Sequence, residues 1–203
     1  MYAIVDAELL AACGVALADF ARELHATGVT LLQYRNKTGS PQEVLRGAAI
    51  LHEAMAGSGC KLILNDRADL AVLANFDGVH VGQDDLSPED ARHVVGPNRI
   101  VGVSTHTDEQ VRIAQQSCAD YIAIGPVFAT GTKPDASPVV GLDGVRRARA
   151  LTTKPLVAIG GITSANARSV IDAGADSVAV ISALLAPNQS AERLARDFLA
   201  RLR

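Results

Sequence analysis

Leu156-Val157-Ala158-Ile159-Gly160-Gly161-Ile162-Thr163 is a run of four apolar residues closed by a glycine pair. Continuous apolarity over so short a stretch suits a strand buried on both faces, as in a parallel sheet covered by helices. One unit upstream, Ile122-Ala123-Ile124-Gly125 has the same shape. Working outward, short apolar runs of this kind begin near residues 2–6, 30–35, 61–65, 78–82, 100–104, 121–126, 156–160 and 177–181. A helix-like stretch follows each one. Ser40-Pro41-Gln42-Glu43 sets a cap, a proline in the first turn and a capping-box glutamate at one helix start. Ser87-Pro88-Glu89-Asp90 and Thr107-Asp108-Glu109-Gln110 read as two more such boxes. Gly28, Gly59, Gly96 and Gly174 close helices before the next strand.

Eight β/α units with no leftover segment predict an α/β chain folded as a (β/α)₈ TIM barrel. Its parallel sheet is closed, and one catalytic domain spans residues 1–203. An open doubly wound sheet is the alternative, but its GxGxxG fingerprint after the first strand is absent. The length suits one domain with a sizeable core. Hydrophobic residues make up 48% of the chain and aromatics only 3%, so Leu, Ile, Val and Ala must fill that core.

A net charge of −3, no long basic run and few aromatics argue against nucleic acid as the partner. No segment reaches the roughly 18 apolar residues of a membrane span. Cys13, Cys60 and Cys118 are widely separated, without metal-ligand spacing or a signal sequence. They read as reduced thiols of a cytoplasmic protein. Small molecules are the expected partners, and the oligomeric state is not legible.

Barrel enzymes work at the C-terminal ends of their strands. The second strand ends in Gln33-Tyr34-Arg35-Asn36-Lys37. Two-residue alternation points Gln33, Arg35 and Lys37 the same way, which suits a phosphate or diphosphate. The third ends in Asn65-Asp66 and the fourth in Gln83-Asp84-Asp85. Carboxylates on adjacent strands, without His or Cys beside them, suit Mg²⁺. Each aspartate taken alone is commonly a cap or a turn former. Ser104 ends the fifth strand, where it can bond a ligand or cap the next helix. His80 and His106 lack a placed acid–base partner and read as structural. The stretch Thr130-Gly131-Thr132-Lys133 lies in the polar loop 129–141, expected to be mobile at the barrel mouth. Gly160-Gly161 and Ile181-Ser182 end the seventh and eighth strands, where barrels of this type commonly bind phosphate. Two anion sites are therefore expected, one near the second to fourth strands and one at the seventh and eighth.

These motifs together resemble the thiamine-phosphate synthase family over essentially the full chain. The resemblance rests on Gln33 to Lys37, Asn65-Asp66-Arg67, Gly82-Gln83-Asp84-Asp85, Gly102-Val103-Ser104, Gly125 to Pro134, Ala158 to Ile162 and Val180-Ile181-Ser182. It implies a transferase that condenses a hydroxymethylpyrimidine diphosphate with a hydroxyethylthiazole phosphate or its carboxylated form, releasing pyrophosphate. It also implies roles. Gln33, Arg35, Lys37, Asn65, Ser104 and Lys133 would bind the pyrimidine diphosphate. Asp66 and Asp85 would hold Mg²⁺, with Asp84 the weaker candidate. Thr130, Thr132, Gly161, Ile181 and Ser182 would bind the thiazole phosphate. Arg35, Lys37, Lys133 and Ser104 would carry the chemistry, in which pyrophosphate departs before the thiazole nitrogen attacks. The alternatives are a thiazole tautomerase-like isomerase on the same fold and a non-catalytic phosphate-sensing barrel. Members of the isomerase branch tend to lose the Asn-Asp pair and the Gln-x-Asp-Asp region, and both are present here.

Overall fold

A computed structural model describes residues 1–131 and 137–202. Eight strands form one closed, all-parallel barrel in chain order. They are β1 (Tyr2–Asp6), β2 (Leu31–Arg35), β3 (Lys61–Asn65) and β4 (Gly78–Val81), then β5 (Ile100–Thr105), β6 (Tyr121–Ile124), β7 (Leu156–Ile159) and β8 (Ser177–Val180). The barrel closes where Tyr2 and Ala3 of β1 pair with Ala179 and Val180 of β8.

The helices are α1 (Ala7–Ala12), α2 (Leu17–His25), α3 (Pro41–Ala54), α4 (Ala68–Leu73), α5 (Pro88–Val95), α6 (Asp108–Gln116), α7 (Gly141–Leu151), α8 (Ala167–Asp172) and α9 (Ala191–Leu202). Two of them, not one, connect β1 to β2. β8 runs first into a 3₁₀ turn at Ser182–Leu184 and only then into α9. Among the described residues no helix is long and apolar enough to cross a membrane.

Apolar residues divide into two clusters because successive strand residues face opposite sides. The larger cluster lies between barrel and helices, and includes Val5, Leu32, Leu64, Val79, Val103, Ile122, Ala158 and Val178. The smaller one fills the barrel interior with Tyr2, Ile4, Ile63, Tyr121, Ala123, Val157 and Ala179. Both clusters draw on alternate residues of the same strands, which is why those strands read as unbroken apolar runs.

Helix starts agree with the sequence to different degrees. Ser40 and Glu43 form a full capping box. Asp90 instead takes the Ser87 hydroxyl at 2.6 Å, its side chain one methylene shorter than that of Glu. Gln110 accepts from the backbone N–H of His106 at 2.7 Å, one residue before the Thr107 cap. All four helix-closing glycines have positive φ.

Candidate active site

The C-terminal ends of the strands surround a cavity of about 970 Å³. Every site residue expected from the sequence that falls among the described residues lines it. Gln33, Arg35, Lys37, Asn65, Asp66, Asp85 and Ser104 stand on one side, with Thr130, Gly161, Ile181 and Ser182 across the mouth. Thr132 and Lys133 lie outside the described residues. A volume near 1,000 Å³ is at the upper end for small-molecule sites and has room for two ligands together.

Two strand ends are shorter than the sequence suggests. β2 stops at Arg35, so Lys37 reaches the cavity from the following loop rather than by strand alternation. β4 stops at Val81, and Asp84 and Asp85 belong to the turn after it. That turn is tied back by the backbone N–H of Gly82, which donates to Asp85 Oδ2 at 2.7 Å. Gln83 Nε2 donates to the carbonyl of Ser104 at 2.6 Å and links the ends of β4 and β5.

Arg35 is not a free cation. Its Nη1 donates to Asp6 Oδ2 at 2.5 Å, and Glu8 Oε2 lies 3.9 Å away. Asp6 also caps α1 by accepting from the N–H of Leu9 at 2.9 Å. Glu8 Oε1 accepts the backbone N–H groups of Lys37 and Thr38 at 2.7 and 2.8 Å, which fixes the loop after β2. Burial acts to raise the Glu8 pKa, but these hydrogen bonds hold it below the usual carboxylate value. Arg35 Nε and Glu8 Oε2 are buried without a hydrogen-bond partner among the described residues. A second cavity of about 450 Å³ adjoins here, lined by Asp6, Glu8, Arg35 and Lys37.

Asp66 is the strained residue of the site. Its φ is +63°, and the N–H of Arg67 donates to the carbonyl of Asn65 at 2.8 Å, closing a three-residue turn around it. Such turns store strain, and strained residues concentrate at functional sites. Lys37 Nζ meets Asp66 Oδ2 at 2.5 Å. Burial pushes the Asp66 pKa up. Lys37 pulls it down, and the Asp85 carboxylate, within hydrogen-bonding reach, pushes it up again. Among the described residues no group of three or more His, Cys, Asp or Glu is arranged so that it could hold a metal ion by itself.

The histidines read from sequence as structural are held by buried partners, yet both line the cavity. His106 Nδ1 contacts the Gly125 carbonyl at 2.6 Å. His80 belongs to a polar chain inside the barrel that sequence reasoning missed. Gln33 Nε2 donates to Tyr2 Oη at 2.8 Å, and Tyr2 Oη meets Tyr121 Oη at 3.0 Å. Tyr121 Oη meets His80 Nδ1 at 2.8 Å, and His80 Nε2 meets Ser104 Oγ at 2.9 Å. Inward-facing polar residues on strands β1, β2, β4, β5 and β6 were the available signal.

Gly161 is required by its backbone. Its φ is +63°, and a Cβ there would lie 2.5 Å from the Ala129 carbonyl oxygen and 2.8 Å from Phe128 Cβ. The glycine therefore lets the loop after β7 pass under the loop after β6. A side chain at Gly161 would strain this backbone crossing as well as crowd a phosphate approaching the loop after β7. Beyond it, Asn166 braces the turn by accepting from Thr163 N–H at 2.8 Å and donating to the Gly161 carbonyl at 3.1 Å.

A family model described as thiamine monophosphate synthase matches residues 1–184. The chain is 60% identical over 194 residues to a thiamine-phosphate synthase of Koribacter versatilis (strain Ellin345), covering 94% of this chain and 92% of that one. It is 46% identical over 159 residues to one of Chloroflexus aurantiacus (strain ATCC 29366 / DSM 635 / J-10-fl), covering 78% and 73%. Among solved structures it is similar to a thiamine phosphate pyrophosphorylase from Pyrococcus furiosus. That match has a TM-score of 0.88 and 31% identity, and covers 99% of this chain and 94% of that one.

Proposed function

The chain belongs to the thiamine monophosphate synthase family, transferases that act on small molecules in thiamine biosynthesis, and from this premise we propose how its cavity works. The pyrimidine diphosphate lies against Gln33, Arg35, Lys37, Asn65 and Ser104, joined by Lys133. The thiazole phosphate lies across the mouth against Thr130, Thr132, Gly161, Ile181 and Ser182. One observation carries this reading: a single cavity gathers a cation-and-carboxylate side and a backbone-rich side, with room for both ligands.

Charge on the first side argues for a divalent cation. Arg35 and Lys37 face the carboxylates of Asp6, Glu8, Asp66 and Asp85. Among the described residues, a diphosphate entering such a site meets more carboxylates than cations. Asp66, whose pKa is pushed up first by burial and then by the Asp85 carboxylate beside it, forms with Asp85 a pair that suits a hard cation taking its other ligands from phosphate oxygens and water. Asp66 and Asp85 would hold Mg²⁺, and Lys37 would turn from Asp66 toward the diphosphate. When bound, the ion supplies charge neutralisation for the departing pyrophosphate.

In the reaction, the bond between the pyrimidine methylene and the diphosphate oxygen breaks, and its electron pair leaves with pyrophosphate. The thiazole nitrogen then gives its lone pair to the methylene carbon. Arg35, Lys37 and Lys133 stabilise the charge that grows on the leaving group, and Ser104 and Gln33 hold the ring. No proton need be abstracted, in keeping with His80 and His106 being engaged with internal partners. Asn65, Asp66 and Asp85 facing the same cavity support this reading over an isomerase, which has no diphosphate to activate.

The test is calorimetry with each ligand alone. Pyrimidine diphosphate should bind only with Mg²⁺, and thiazole phosphate should bind with or without it. Equal metal dependence for both ligands, or for neither, would overturn the two-sided site.

A further inference from the structure

The chain of hydrogen bonds from Gln33 through Tyr2, Tyr121 and His80 to Ser104 crosses the barrel interior and ends at the cavity on both sides. Tyr2, Gln33, His80 and Tyr121 are buried. Tyr121 is not among the residues that line the cavity. The packing is built around it. Its ring stacks on His80, with centroids 5.4 Å apart at 24°, and meets Tyr2 edge-on at 5.9 Å and 82°. Gly102 is the residue beside it because a Cβ there would sit 2.0 Å from Tyr121 Cζ.

The protons of such a chain are not independent. Burial pushes both phenol pKa values well above the usual value, so each hydroxyl keeps its one proton. Gln33 donates to Tyr2, so the Tyr2 proton goes to Tyr121 and the Tyr121 proton goes to His80 Nδ1. A neutral imidazole then carries its proton on Nε2 and gives it to Ser104 Oγ. The Ser104 proton is left to point into the cavity, and the Gln33 carbonyl faces a ligand. Rotating the Gln33 amide by half a turn reverses every bond, and Ser104 then offers a lone pair instead. Any mixture of the two directions puts two protons, or none, between a buried pair, and such an unsatisfied group costs roughly 1–3 kcal/mol. The two ends therefore switch together.

We propose that this chain makes Gln33 and Ser104 a coupled reader of the pyrimidine ring, with Tyr2, Tyr121 and His80 as positioning residues that set which hydrogen-bond pattern the site accepts. The proposal rests on the reading that the pyrimidine diphosphate lies against Gln33 and Ser104. A 4-aminopyrimidine offers an amino donor beside a ring-nitrogen acceptor. Gln33 with its carbonyl toward the ligand matches both, using the N–H that is not given to Tyr2. The 4-oxo ring offers the opposite pair and needs the amide reversed, and the chain with it.

The experiment compares kcat/KM for the 4-amino and 4-oxo pyrimidine diphosphates, with saturating thiazole phosphate and Mg²⁺, in wild type and Tyr121→Phe. The variant keeps the ring and removes one hydroxyl that does not line the cavity. Tyr2 can then turn its proton toward Gln33, so the amide is free to reverse. Wild type should prefer the amino substrate by about a thousandfold or more, as sites built around paired hydrogen bonds do. In Tyr121→Phe the preference should fall about tenfold, the worth of one hydrogen bond. A folded variant whose ratio stays within about twofold of wild type overturns the proposal, even if both rates fall, because a merely structural role lowers both alike. Should Tyr121→Phe be unstable, Tyr2→Phe removes the adjacent link and is read in the same way. A wild-type protein that does not turn over the amino substrate overturns the functional reading and this proposal with it. Normal turnover with an unmoved ratio overturns the proposal alone.

Discussion

Replacing Gly161 by alanine places a methyl group in a left-handed residue under the loop after β6. Two costs can be separated by comparison with Gly57, whose φ is +76° but whose added Cβ would meet nothing within 4 Å. Gly57→Ala carries only the backbone penalty, about 1 kcal/mol. Gly161→Ala carries the same penalty plus a Cβ 2.5 Å from the Ala129 carbonyl oxygen and 2.8 Å from Phe128 Cβ. Backbone cannot swing aside as a side-chain tip can, so overpacking adds about 1–3 kcal/mol. The expected losses are therefore about 1 kcal/mol at Gly57 and about 2–4 kcal/mol at Gly161. In a chain of this length they correspond to drops in Tm of roughly 3 °C and roughly 4–16 °C. Urea unfolding followed by circular dichroism at 222 nm measures both. Because Thr130 follows Ala129, thiazole-phosphate affinity should fall with stability in Gly161→Ala and stay unchanged in Gly57→Ala. Equal destabilisation of the two variants would refute the close approach of the loops after β6 and β7.

Three further outcomes follow from the site. Asp66→Ala and Asp85→Ala should each raise the Mg²⁺ concentration needed for half-maximal turnover at least tenfold, while Asp84→Ala changes it less than threefold; a metal titration of activity checks this. Asp6→Ala removes both the partner of the mostly buried Arg35 and the α1 cap, and should cost about 3–5 kcal/mol in chemical denaturation, with weaker pyrimidine-diphosphate binding. Lys133→Ala should lower kcat by more than it raises KM for the pyrimidine diphosphate, since charge on the leaving group grows toward the transition state; steady-state kinetics decides.

The fold was legible because parallel strands covered on both faces are written as unbroken apolar runs, and the helices between them carry caps at their starts. Strand ends were less legible. Alternation of Gln33, Arg35 and Lys37 continues in the sequence past the last residue that β2 pairs, and Asp84-Asp85 continues the polar run beyond β4. The cavity residues could be placed because barrel chemistry gathers at strand ends. Asp6 sits at such an end too, but its partner Arg35 is 29 residues away. No local pattern announces that pair. The interior chain was hidden for the same reason: Tyr2 and Tyr121 are 119 residues apart and each looks like an ordinary strand aromatic. Only the barrel, which turns the inward faces of β1, β2, β4, β5 and β6 toward one another, makes them neighbours. Gly160-Gly161 is legible as a glycine pair at a strand end where phosphate binds. That Gly161 sits beneath the Phe128–Ala129 backbone required the fold.

The central claim is that one cavity joins two anionic substrates. The direct test is to incubate the purified protein with pyrimidine diphosphate, thiazole phosphate and Mg²⁺, and to quantify thiamine phosphate and pyrophosphate together over time. Both products should form in equal amounts, none when either substrate is omitted, and little when Mg²⁺ is chelated. A folded protein that releases pyrophosphate without thiamine phosphate, or forms neither product, would contradict that claim.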